Sequence, residues 1–122
     1  MSYKIISKFI KDISFEIPSV SAFAFLEKEI SKYNLNFDIK SKPFKNNIIE
    51  INTILKLTPG KEVKNKILTE INYTSLVSID NPADKAELEK IVLIKVPEEV
   101  YPKIYENFVY LFNQAGIKNL KI

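Results

Sequence analysis

At 122 residues, 46% apolar and 27% charged, the chain has the composition of an ordinary globular domain that can bury a modest core. It contains no histidine and no cysteine, which excludes disulfides, thiolate metal sites and the two side chains that most often titrate or attack near neutrality. All 18 basic residues are lysine and the formal charge is +3; without arginine there is no planar fork for bidentate phosphate or guanine recognition.

The same inventory shapes the expectation of function. Only Gly60 and Gly116 are available, so a glycine-rich phosphate loop is excluded. A metal site would need carboxylates alone, and no dense carboxylate spacing appears. An enzyme is therefore not expected, nor a cofactor or metal. No apolar run is long enough to span a bilayer, and no charged-then-apolar leader opens the sequence. The expected location is the cytoplasm, without membrane insertion, and residues 1–122 read as one domain.

The first strand is expected from Tyr3 to Ile17, ended by Pro18. Ile13, Phe15 and Ile17 fall on one side, Asp12, Ser14 and Glu16 on the other, because strand side chains alternate with period 2. One side suits a core; an acidic row suits a partner. From Ala22 to Tyr33, the residues Ala22, Phe23, Leu26, Ile30 and Tyr33 recur at helical spacing, with Ser19 or Ser21 as the cap. Leu35 to Ile39 alternates as a short second strand, and Lys42-Pro43 through Asn46-Asn47 reads as a turn.

A third strand, Ile48 to Thr58, places Ile49, Ile51, Leu55 and Leu57 on one face. Pro59-Gly60-Lys61 turns the chain into a fourth strand, Ile67 to Ile79. There Ile67, Ile71, Tyr73, Val77 and Ile79 oppose Leu68, Glu70, Asn72, Thr74 and Leu76. The short connection makes these two strands an antiparallel hairpin. Asp80-Asn81-Pro82 is a helix-start signal, and Pro97 breaks the pattern that follows. The second helix is expected from Glu98 to Gln114, with a stripe of Tyr101, Ile104 or Tyr105, Phe108, Leu111 and Phe112. Gly116 stops it. Strands followed by helices define an α+β domain.

Two features bear on partners. Between Lys40 and Lys66 there are seven lysines against Glu50 and Glu62. Lysine guarding exposed strand edges is the preferred reading; a small basic nucleic-acid-binding module is the lesser one. The chain also holds eight Phe and six Tyr but no Trp. Phe15, Tyr73 and Phe108 sit on apolar faces and read as core. The crossover is different: Phe23, Phe25, Leu26, Tyr33, Leu35 and Phe37 surround a short segment. Positions two apart diverge by roughly 200° around a helix, so Phe23 and Phe25 cannot both face one sheet. Either a subunit partner covers the surplus or an apolar groove stays open.

Taken in order, these segments resemble the SecB protein-export chaperones along nearly the whole chain. Lys11-Asp12-Ile13-Ser14-Phe15-Glu16, then a proline, resembles the family's first strand. Leu35-Asn36-Phe37-Asp38 resembles its second. Glu50 in an alternating strand, Leu68-Thr69-Glu70-Ile71 and Leu76-Val77-Ser78-Ile79 resemble its central hairpin. Pro97 with Tyr101-Pro102 resembles the paired prolines ahead of its long helix.

The resemblance implies a four-stranded antiparallel sheet with helices packed on one face. It implies a homotetramer, a dimer of dimers, that holds unfolded precursor proteins without ATP for delivery to the SecA motor. Family positions that contact SecA match Asp12, Glu16, Leu68 and Glu70. Positions near subunit interfaces match Thr69, Ile71 and Tyr73. The client groove, between crossover and long helix, implies Phe23, Phe25, Leu26, Leu35, Phe37, Tyr101 and Tyr105 as lining. Two departures stand out. The chain is basic where the family is usually acidic, and it stops where the family's last helix and acidic tail would begin. A SecB-like chaperone that guards an antitoxin is therefore the alternative reading.

Overall fold

The computed structural model describes residues 2–80 and 84–118. Strand β1 runs Tyr3–Glu16, helix α1 Val20–Glu29, β2 Tyr33–Lys45, β3 Ile48–Pro59 and β4 Leu68–Ile79. Helix α2, Lys85–Lys90, continues through a π-helical turn, Ile91–Lys95, into α3, Val96–Gln114. The strands form one antiparallel sheet in the order β1-β4-β3-β2. The α+β class and the antiparallel sheet agree with the sequence.

The fourth strand sets the sidedness. Ile71, Tyr73, Val77 and Ile79 are at most 4% exposed and face the helices. Ile51, Leu55 and Leu57 of β3 join them, and Val96, Val100, Ile104, Phe108 and Phe112 close the core from above. Ile104, not Tyr105, lies on the buried stripe of α3; Tyr105 is half-buried beside it. The aromatic centre is tight, with Phe108 and Phe112 rings 4.9 Å apart and Phe15 meeting Phe112 edge-on at 5.1 Å. Thr53, Thr69 and Ser75 bury their hydroxyl oxygens with no hydrogen-bond partner among the described residues.

Several local expectations change. In β1, register shifts between Ile5 and Ser7 and between Ile10 and Asp12 interrupt the alternation. Each bulge adds one residue and swaps the faces. The stretch between the two bulges, Ser7 to Ile10, therefore runs out of phase, and the second shift restores the phase at Tyr3 and Ile5. Ser19, not Ser21, caps α1, its hydroxyl accepting from the Ala22 amide at 3.0 Å. That helix ends at Glu29, and Tyr33 opens β2 instead of closing a helix. Its hydroxyl accepts from the buried Ile67 amide at 3.0 Å.

The second strand is 13 residues long, not five or so, and contains Pro43. It lies on the outer edge of the sheet, where a missing N–H breaks no ladder. The turn contracts to Asn46 and Asn47, with Asn46 at φ 50°. Asp80 lies just past β4, while Asn81 and Pro82 fall outside the described residues. The cap of α2 is Asp84, which accepts from the Ala86 and Glu87 amides. Pro97 does not break the helix. The π turn before it sends the Val96 amide to the Ile91 carbonyl, one residue beyond the α spacing. A widened turn relaxes the contact between the proline ring and the preceding turn. Gly116, at φ 97°, ends α3 as expected, and the Ile117 amide bonds the Phe112 carbonyl at 2.9 Å.

Phe108→Ala should cost about 3–5 kcal/mol, because the ring is fully buried and its cavity cannot close. Thr53→Val should instead raise stability, by on the order of 1 kcal/mol, by removing a buried unbonded hydroxyl. Urea unfolding of both variants against the parent checks the pair of opposite signs.

Candidate functional site: two unlike faces

The sheet leaves one face without helices. On it, β1 and β4 bring the acidic row together: Asp12 lies opposite Asn72, Ser14 opposite Glu70, and Glu16 opposite Leu68. Asp12 and Glu16 are exposed, Leu68 is 50% exposed, and Glu70 is half-buried. The four residues assigned to motor docking thus form one patch at one end of the open face. Lys56, opposite Glu70 on β3, is the base nearest to them in the register.

Thr69, Ile71 and Tyr73, matched by resemblance to positions near subunit interfaces, lie on the face beneath the helices. They have the opposite parity and are 3, 0 and 4% exposed inside the chain's own core. Within the chain's own fold these side chains hold the helix layer to the sheet. Burial also pushes the Tyr73 phenol above its ordinary range.

A polar chain crosses the open face near its middle. The Thr74 hydroxyl donates to Asn52 Oδ1 at 2.7 Å, and Asn52 Nδ2 donates to Glu50 Oε2 at 2.8 Å. Lys11 of β1 reaches the same oxygen at 3.4 Å, and Lys42 of β2 approaches it at 3.9 Å. Glu50 is held below the ordinary carboxylate range, first by the Asn52 hydrogen bond and then by Lys11 and Lys42, against partial desolvation. One carboxylate therefore ties both outer strands to the centre. Sequence reading placed Glu50 in a strand but not at this junction, because Lys11 reaches it only through the β1 bulge.

The residues expected in a groove separate into four places. Leu26 is 3% exposed and packs in the core. Leu35 is half-buried against that core. Phe23 packs near Gly116, and Phe25 lies beside Lys28 and Lys64, in separate shallow recesses. The divergence of these two rings is what helical spacing demanded. Phe37, Tyr101 and Tyr105 do come together, with centroids 5.0 Å and 6.0 Å apart in succession. Phe37 is 43% exposed.

Leu93 and Ile94, 52% and 55% exposed, extend this aromatic cluster along the seam between β2 and the long helix. Beyond Leu93 the seam continues to Pro43, Ile49, Leu88 and Val92. Neither Leu93 nor Ile94 was singled out from sequence. The signal was present: Ile91 to Ile94 are four consecutive apolar residues, and a helix cannot bury all four on one side. Among the described residues, no helix is long and apolar enough to cross a membrane. None of them forms a group of three or more carboxylates that could hold a metal ion.

The one-sided sheet, the split helix layer and the apolar seam define a class that comparison makes specific. The family model described as preprotein translocase subunit SecB matches residues 1–122. The chain belongs to the SecB family of chaperones. A Pelagibacter ubique protein named for protein-export protein SecB is 46% identical over 121 residues, covering 98% of this chain and 86% of its own length. The protein-export protein SecB of Parvibaculum lavamentivorans is 26% identical over 101 residues; the match covers 81% of this chain and 58% of that protein. Among solved structures, a SecB-like chaperone of Mycobacterium tuberculosis, in complex with a ChAD peptide from an antitoxin, superposes with TM-score 0.73. It covers 98% of this chain and 85% of its own at 12% identity, which speaks for the fold alone.

Glu50→Gln should lower stability at neutral pH. A depressed folded-state pKa contributes stability above the ordinary value of 4.5 that is lost as pH falls through the folded value. The difference between parent and variant should therefore shrink on acidification below that point. Urea midpoints measured from neutral pH downward check the sign.

Proposed function

We propose that the chain is an ATP-independent holdase that keeps unfolded precursor proteins competent for translocation and passes them to SecA in the cytoplasm. The observation that carries this reading is the exposed apolar seam through Phe37, Tyr101, Tyr105, Leu93 and Ile94. Exposed apolar surface of this kind marks interaction sites. The seam lies beside β2, an outer strand whose free backbone edge can pair with an extended segment. Apolar side chains supply grip and the backbone supplies bonds without sequence preference. Phe23 and Phe25 lie off this line, in separate recesses, and offer separate contacts.

Assembly into a homotetramer is part of the proposal. β1 is the other free edge, and Ile6, Ile10 and Ile13 are 51, 41 and 40% exposed along it. That edge is a side-chain surface a second subunit can cover. Several seams on one assembly would then bind a long client by multivalency. Docking of SecA is assigned to Asp12, Glu16, Leu68 and Glu70, which the sheet gathers on the opposite face. Client and motor therefore do not compete for the same surface.

A chaperone that guards an antitoxin is the second reading, favoured by the peptide complex of the Mycobacterium tuberculosis structure. SecA binding separates the two.

Phe37→Ser with Tyr101→Ser should cut suppression of client aggregation severalfold while leaving the oligomer's native mass unchanged. Undiminished suppression by the double variant would remove the seam from client binding. In a second measurement, Asp12→Lys with Glu16→Lys should weaken SecA binding about tenfold or more, as like charges replace opposite ones. Parent protein that fails to bind SecA at all would favour the antitoxin reading.

A further inference from the structure

The open face carries both signs of charge. At one end stand Asp12, Glu16 and Glu70, with Lys56 opposite Glu70 and Lys61, Lys64 and Lys66 in the adjoining β3–β4 connection. At the other end the register aligns Lys4 with Ser78, Ser78 with Ile48, and Ile48 with Lys45. The next rows toward the centre carry Lys42 opposite Glu50 and Lys40 opposite Asn52. Lys11 reaches into the same region at Glu50. Five lysines therefore share this half of the face. Glu50 is already bridged by two of them, and Asp80, at the end of β4, accepts from the Ser2 hydroxyl. Asp38, one row farther from the end, pairs with Lys40 at 3.9 Å.

Phe44 occupies the register shift at the end of β2, beside the turn. It is 53% exposed, and the Lys45 ammonium lies 5.6 Å from its ring. An exposed ring at a hairpin end, flanked by Lys42 and Lys45, has no packing role in the core.

The geometry points to peripheral docking of this basic end on an anionic phospholipid surface. Phe44 enters the headgroup region, and Lys4, Lys42 and Lys45 meet the phosphates. An exposed ring between lysines at a hairpin end suits a headgroup layer, where the ring partitions among the headgroups while the ammonium groups meet phosphates. Nucleic-acid binding would use the lysines but leave the Phe44 ring without an apolar partner. Lysine, a compact point charge, also suits a diffuse layer of headgroups. The contact requires neither a client nor SecA.

The test is co-sedimentation of the full chain with vesicles of phosphatidylglycerol and phosphatidylcholine, against phosphatidylcholine alone. Binding should require the anionic lipid and be lost at high salt. Each of Lys42→Ala and Lys45→Ala should weaken it about fivefold. Phe44→Ser should weaken it about tenfold. Asp12→Lys with Glu16→Lys should not weaken it. All these side chains are exposed, and circular dichroism checks that each variant folds as the parent does. Equal binding to both vesicles, no binding, or lysine and phenylalanine variants that bind like the parent would overturn the inference. An oligonucleotide held more tightly than the vesicles, through the same lysines, would also overturn it, in favour of nucleic acid.

Discussion

The structure depends on the burial of one sheet face beneath a single long helix. Phe108 and Phe112 of α3 fill the space over β1 and β4, and the edge-on contact of Phe15 with Phe112 pins the outer strand there. A fully buried aromatic pair contributes area and a geometric preference together. Once those rings sit on one side, strand parity decides every other residue of the sheet. Asp12, Glu16 and Glu70 have no choice but the open face.

Two surfaces with different chemistry follow. The open face is polar, with Glu50 bonded to Asn52 and within ion-pair distance of Lys11 and Lys42. The helix side has an apolar margin along the seam between β2 and the long helix. Its π turn pushes Leu93 and Ile94 outward, toward Phe37 on β2. The same turn lets Pro97 sit inside a continuous helix. One local irregularity thus accommodates a proline and exposes the seam assigned to clients.

Much of this was legible in the sequence, and the reasons differ by element. β3 and β4 alternate cleanly because each has one buried and one open face, so parity alone located Ile51, Leu55, Ile71 and Val77. The acidic patch was legible for the same reason. β1 was legible at its two ends but not between its bulges, from Ser7 to Ile10, since no residue pattern announces a bulge. The length of β2 was hidden by Pro43, which reads as a turn but is tolerated on an outer edge. The seam was half legible: Phe37, Tyr101 and Tyr105 were named, but Leu93 and Ile94 were masked by a proline read as a break. Leu26, Thr69, Ile71 and Tyr73 were placed by resemblance in contact roles. Within the chain all four are buried in the core, which parity and helical spacing also indicate.

Backbone amide shifts of the isotope-labelled protein, recorded as an unfolded client is added, test the central division of labour most directly. The account predicts that perturbations concentrate along β2 and the helix, around Phe37, Leu93, Ile94 and Tyr101. Asp12, Glu16 and Glu70 on the opposite face should stay unmoved. A client that perturbs the acidic patch and leaves the seam unchanged would contradict it.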